Sequence, residues 1–227
     1  MKKAHQAIKE AVEKELSCSA HDIDHVMRVY RLALRLAEGE RDIDLDILIP
    51  AILLHDIARV REDRDASGKI DHAVLGAEMA GTILQSQGYP SEKIDAIKQC
   101  ILNHRFRKSS ENEFQTIEAK ILFDADKLDV LGAVGVARAF IIAGEYNERF
   151  YSDIPVEEYV KDNLTGGKMN GKIKDVTRHS PNLEYETKFK QIIGKLYTEK
   201  AKLIAEQRLA FMDAFFTRLV KEINGEL

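Results

Sequence analysis

Apolar residues recur along this chain at helical spacing, and the stripes they form predict one helix after another. Residues 2–16 place Ala4, Ile8, Ala11 or Val12, and Leu16 on one face among lysines and glutamates. From about Asp22 a second helix runs to Glu38 with Gly39 as its stop, and His25, Val29, Leu32 and Leu36 follow at steps of 4, 3 and 4. Asp44 can cap a third helix, Leu45 to about Ala58, in which Leu48, Ile52 and His55 share a face and Pro50 bends the first half. A fourth is expected from about Asp71 to Gln87, ahead of Gly88-Tyr89-Pro90, with His72, Leu75 and Met79 aligned. A fifth opens on Ser91 as N-cap and runs to about Arg105, lining up Ile94, Ile97, Ile101 and His104.

Thr116 to Leu131 reads as a sixth helix, and there Ala119, Leu122, Asp126 and Asp129 put carboxylates where core leucines belong. Ala133 to Gly144 is small and apolar, as in a packed central helix, and Pro155 opens a short helix to Asn163. The chain closes with helices from Asn182 to about Tyr197 and Thr198 to about Ile223. In the last, Phe211, Phe215 and Leu219 form a stripe that serves the core or a homodimer seam. The whole predicts one α-rich domain. Two stretches break the periodicity: Val60 to Ile70, charged and expected as a mobile loop, and Thr165 to Pro181, whose glycines and Lys168, Lys172, Lys174 and Arg178 suit anionic ligands.

A formal charge of −4 leaves no basic footprint for a dedicated nucleic-acid binder, while small anions stay open as partners. Cys18 and Cys100 stand alone without metal-finger spacing, which fits a reduced, cytoplasmic setting. No secretory signal opens the chain, and the longest apolar run, Ile47 to Leu54, is too short for a bilayer.

What changes the picture is how the stripes end. His25, His55 with Asp56, His104 and Asp126 come from four separate helices, each at the end of an apolar stripe. Burying imidazole and carboxylate together is costly unless a counter-charge, a hydrogen-bond network or a metal compensates them. Imidazole plus carboxylate suits a hard or borderline divalent ion such as Mn, Fe, Co, Zn or Mg with positions open to water and substrate. Any one of these residues alone reads as an ordinary core histidine or helix cap; the conjunction carries the metal reading. His5 and His179 are read as solvent-facing.

The order His25, His55-Asp56, Asp126 resembles the HD-domain phosphohydrolase superfamily. The segments His21-Asp22-Ile23-Asp24-His25, Leu54-His55-Asp56-Ile57, His72-Ala73, His104-Arg105-Phe106-Arg107 and Leu122-Phe123-Asp124-Ala125-Asp126-Lys127-Leu128-Asp129 fall in family order, and the likeness is nearest to small bacterial and archaeal HD hydrolases. The resemblance implies an all-α HD bundle in a single domain, with a metal-binding core of about 20–131 and a C-terminal helical extension of about 133–227. It implies a divalent ion on His25, His55, Asp56 and Asp126, and hydrolysis of a nucleotide, with pyrophosphate released from a triphosphate. Asp56, Asp126, Asp129 and Arg59 are the candidate catalytic residues. Candidate substrate contacts are His21, Arg28, His72, His104, Arg105, Lys127 and Lys188, with His72 and His104 as either second-metal ligands or phosphate donors. Alternatives are a monophosphatase or phosphodiesterase of the same fold, a non-catalytic nucleotide-sensing module, and an iron-pair oxygenase that would need both His72 and His104 as ligands.

Overall fold

A computed structural model of the chain describes residues 2–16, 23–105 and 116–227; His21 lies outside them. The chain divides into two compact units, Met1–Asp126 and Lys127–Leu227. Among the described residues there is no strand, only an isolated bridge between Leu164 and Ile173.

The first unit holds α1 (Lys3–Glu15), α2 (Ile23–Ala37), α3 (Leu45–Leu54), α4 (Arg59–Asp63), α5 (His72–Ser86), α6 (Ser91–Asn103) and most of α7 (Ile117–Asp129). Its organising element is α3, buried at every position from Leu48 to Leu54 because it packs against α1, α2 and α6 at once. Burying leucine or isoleucine stabilises by roughly 1.5–3 kcal/mol per side chain, so Leu48, Ile52, Leu53 and Leu54 hold this helix firmly. Asp44 caps it as expected, accepting from the amide of Asp46 at 2.8 Å. The helix stops at Leu54, four residues before the expected end, because His55 caps it and the chain turns through residues 55–58 into α4.

Two further expectations are corrected here. Ser91 is the first helical residue of α6 rather than its cap, a place taken by Pro90. The run after Arg59 is not a loose loop: its first four residues are helical, and Asp65 then ties the rest. Its carboxylate accepts from the Ser67 hydroxyl at 2.6 Å and from the amides of Ser67, Lys69 and Ile70 at 2.8–2.9 Å. These bonds, led by the Ser67 hydroxyl, lower its pKa to about 2.

The second unit holds α8 (Gly132–Glu145), α9 (Val156–Asn163), α10 (Pro181–Thr187) and α11 (Glu199–Ile223). The helix expected over 182–197 ends at Thr187 and continues as two short 3₁₀ turns. In the first turn of α8 the backbone demands glycine: Gly132 sits at φ 76°, and a Cβ on Gly135 would lie 2.1 Å from the Val130 carbonyl oxygen. On α11 the buried face is Ala201, Ala205, Met212 and Phe216, whereas Phe211 is about half exposed, so the core does not follow the 211–215–219 stripe.

Candidate metal centre

The site is assembled from helix ends. His25 lies in the first turn of α2, His55 caps α3, Asp56 follows in the turn, His72 opens α5, His104 caps α6, and Asp126 lies near the end of α7. At a helix C-terminus the last carbonyls lack intrahelical donors, and here two of them take a histidine ring. His55 Nδ1 bonds the Ile52 carbonyl at 2.8 Å, and His104 Nδ1 bonds the Ile101 carbonyl at 2.5 Å. A carbonyl only accepts, so each Nδ1 carries the proton and each Nε2 of the neutral ring presents a lone pair. The bond that ends the helix thus sets the tautomer of the side chain.

Those lone pairs converge. His55 Nε2 is 3.4 Å from His25 Nε2, and Asp126 Oδ1 lies 3.5 and 3.9 Å from the two Nε2 atoms of His25 and His55. Asp56 Oδ2 is 3.7 Å from both. The other Asp56 oxygen, Oδ1, faces a second pair, His72 Nε2 at 3.3 Å and His104 Nε2 at 3.5 Å, which are 3.1 Å apart. Ring centroids 5.1–5.4 Å apart run from His25 to His55 to His104 to His72. Ligand atoms ~2.1 Å from a shared ion stand roughly 3.0–3.4 Å apart, so both groups have the donor chemistry and nearly the spacing that a divalent ion requires. His25, His55 and Asp56, and likewise Asp56, His72 and His104, are groups able to hold a metal ion.

Electrostatics agree with neutral rings around an ionised carboxylate. Burial lowers the pKa of His55 against the opposing pull of Asp56 and Asp126, and burial brings His72 down to about 4. Burial alone would raise Asp56, but any of His55, His104 or His72 that takes up a proton is attracted to it, and this holds its carboxyl well below the usual range.

A carboxylate absent from the expected set borders this centre. Glu62, on α4, accepts from His72 Nδ1 at 2.6 Å, Arg105 Nη1 at 3.0 Å and Arg59 Nη1 at 3.2 Å. Arg105 also pairs with Asp71 at 3.0 Å and Arg59 with Asp63 at 3.2 Å. The sequence signal for Glu62 is its place one helical turn after Arg59, masked by a run whose charge predicts a solvated loop. Arg28, one turn after His25, is half-buried on α2. In the second unit, Asp129 is buried against Arg138 at 2.9 Å, Lys188 pairs with Glu184 at 2.5 Å, and Lys127 is half-buried.

A family model for the HD domain matches residues 22–131. The Bacillus subtilis protein YpgQ is 30% identical over 209 residues, 91% of this chain and 86% of that protein. A crystal structure of YpgQ in complex with ADP is similar over 97% of this chain and 98% of that one, at 28% identity and a TM-score of 0.71. An HD-superfamily hydrolase from Bacillus thuringiensis is similar over 98% and 95%, at 26% identity and a TM-score of 0.68. The chain belongs to the HD-domain phosphohydrolase superfamily. Like other HD proteins it is all-α and a metal-dependent phosphohydrolase, which sets the oxygenase alternative aside. No helix among the described residues of this HD protein is long and apolar enough to cross a membrane.

Proposed function

We propose that this protein hydrolyses a nucleoside or deoxynucleoside triphosphate to the monophosphate and pyrophosphate, in the cytoplasm. The observation that carries the reading is a centre of lone pairs around Asp56 bordered by two tethered arginines, a cation-seeking core beside an anion-seeking edge. YpgQ, similar over nearly its full length, was crystallised with ADP, and this supports a nucleotide as ligand. Two guanidiniums exceed what one phosphate monoester needs and suit a polyphosphate.

His25, His55, Asp56 and Asp126 would hold a divalent ion, which when bound lowers the pKa of water toward neutrality and polarises a phosphoryl oxygen. Arg59 and Arg105 bind phosphate oxygens and neutralise charge that develops on them. Arg28 and Lys127 remain further contacts in this reading. Asp129 pairs with Arg138 and Lys188 with Glu184, and this reading assigns neither a step.

For His72 and His104 one observation favours a second cation over donation to phosphate. Both Nδ1 atoms are committed, that of His104 to the Ile101 carbonyl and that of His72 to Glu62 at 2.6 Å, a much shorter contact than the 3.3 Å to Arg59 Nη1, so neither neutral ring has a proton on Nε2 to donate. Two lone pairs 3.1 Å apart beside a carboxylate repel unless a cation lies between them. Incubating the purified protein with nucleoside tri-, di- and monophosphates and Mn, Mg, Co or Zn, with pyrophosphate and orthophosphate measured separately, tests the reading. Pyrophosphate with the monophosphate is expected; orthophosphate as the sole product rejects it, and binding without turnover in every metal leaves the sensing module. Metal analysis should count two ions per chain.

A further inference from the structure

We propose that Glu62 is a positioning residue of this centre, one carboxylate that fixes the orientation and tautomer of His72 and holds Arg59 and Arg105 at its edge. The inference rests on the reading above for its purpose, but its geometry stands alone. Glu62 uses both oxygens. Oε2 takes His72 Nδ1 at 2.6 Å and Arg59 Nη1 at 3.2 Å, while Oε1 takes Arg105 Nη1 at 3.0 Å and the His72 amide at 3.4 Å. A carboxylate has about four acceptor directions, so this one is saturated.

The three donors come from separate places in the fold: Arg59 from α4, His72 from the start of α5, Arg105 from just beyond α6. His55 and His104 each have a helix carbonyl to hold Nδ1–H, but His72 is at a helix N-terminus, where amides rather than carbonyls are free. Glu62 supplies the acceptor that position lacks, and the Nε2 lone pair of His72 is thereby directed at Asp56 and His104. Together with Asp63 on Arg59 and Asp71 on Arg105, the same carboxylate restrains two long cationic side chains, so less entropy is lost when phosphate binds.

The test uses the full-length protein and two variants, Glu62→Gln and Glu62→Asp. Long-range ¹H–¹⁵N correlation spectra of the metal-free protein report the His72 tautomer directly, whatever the substrate proves to be. Wild type should show protonated Nδ1 and bare Nε2. Glu62→Gln, with one acceptor oxygen for three side-chain donors, should show a mixture with protonated Nε2, and KM for the nucleotide should rise about 10- to 100-fold, more than kcat falls. Glu62→Asp should restore the wild-type tautomer and part of the KM even where its melting temperature is the lower of the two. A wild-type tautomer and wild-type KM in Glu62→Gln overturn the proposal, as does a KM in the two variants that follows thermal stability alone. Should wild type hydrolyse no nucleotide, the pyrophosphohydrolase reading falls, and the His72 tautomer in the two variants still decides the role of Glu62.

Discussion

Each unit of this protein buries histidine beside a carboxylate, and the two sites are bonded in opposite ways. In the second unit His179 is nearly fully buried, with Nε2 against Glu184 at 3.2 Å and Nδ1 against the Tyr159 hydroxyl at 2.6 Å. The carboxylate accepts, so Nε2 carries the proton and Nδ1 accepts from the tyrosine; Lys188 adds a further donor to Glu184. Every donor meets an acceptor. Around Asp56 in the first unit, the Nε2 lone pairs of His55, His72 and His104 face a carboxylate, an arrangement that a cation completes. A buried histidine is therefore no signal in itself: whether its neighbours close the hydrogen-bond count separates a structural cluster from a reactive one.

The strongest way to break this comparison is Asp56→Ala. It should reduce turnover to background and remove metal binding, since the carboxylate faces both groups of imidazoles. Because the metal-free cluster is short of donors, the metal-free variant should be no less stable than metal-free wild type. Adding Mn at ~100 times its Kd should stabilise wild type by roughly 2.7 kcal/mol and the variant not at all. Thermal melts with and without metal check this, and retained turnover in the variant would refute the assignment.

Acid provides the next contrast. Burial would raise the pKa of Glu184, but the charge of Lys188 and the hydrogen bond from His179 bring it from 4.5 down to about 2. A depressed folded-state pKa contributes stability that is fully present above about pH 4.5 and is lost as pH falls toward 2; at 1.36 kcal/mol per unit this amounts to about 3 kcal/mol. The chain has no tryptophan, so urea unfolding followed by circular dichroism at pH 5, 4 and 3 is the suitable measurement. Glu184→Gln should flatten this part of the pH dependence. An unchanged slope would mean that the pair is not held as described.

Legibility in the sequence followed the same division. Helical periodicity gave most of the helices, because apolar stripes and polar breaks are local. The convergence of His25, His55, Asp56 and Asp126 was readable because each ended such a stripe and their order matched a family pattern. Glu62 and His179 were not readable. Glu62 sits in a run so charged that no one carboxylate stands out, and its partners Arg105 and His72 are 43 and 10 residues away. His179 follows a basic, glycine-containing stretch with no apolar stripe, so nothing local indicates that Tyr159, 20 residues before it, covers it; the sequence predicts it to face solvent, as it does His5, and both are buried. The α3 boundary failed for a related reason: His55 continues the stripe while its ring ends the helix.

The finest probe is Tyr159→Phe. It keeps the ring stacked on His179, whose centroid is 5.7 Å away at an interplanar angle of 26°, and removes only the hydroxyl. One buried acceptor, His179 Nδ1, then loses its donor, which should cost about 1–2 kcal/mol. For a chain of this length that lowers the melting temperature by roughly 2–8 °C. Metal content and kcat should be unchanged, because a closed cluster contributes to folding and not to the chemistry around Asp56. A fall in metal content at full folding would show that the second cluster does more than stabilise its unit, and the distinction between closed and open histidine clusters would fail.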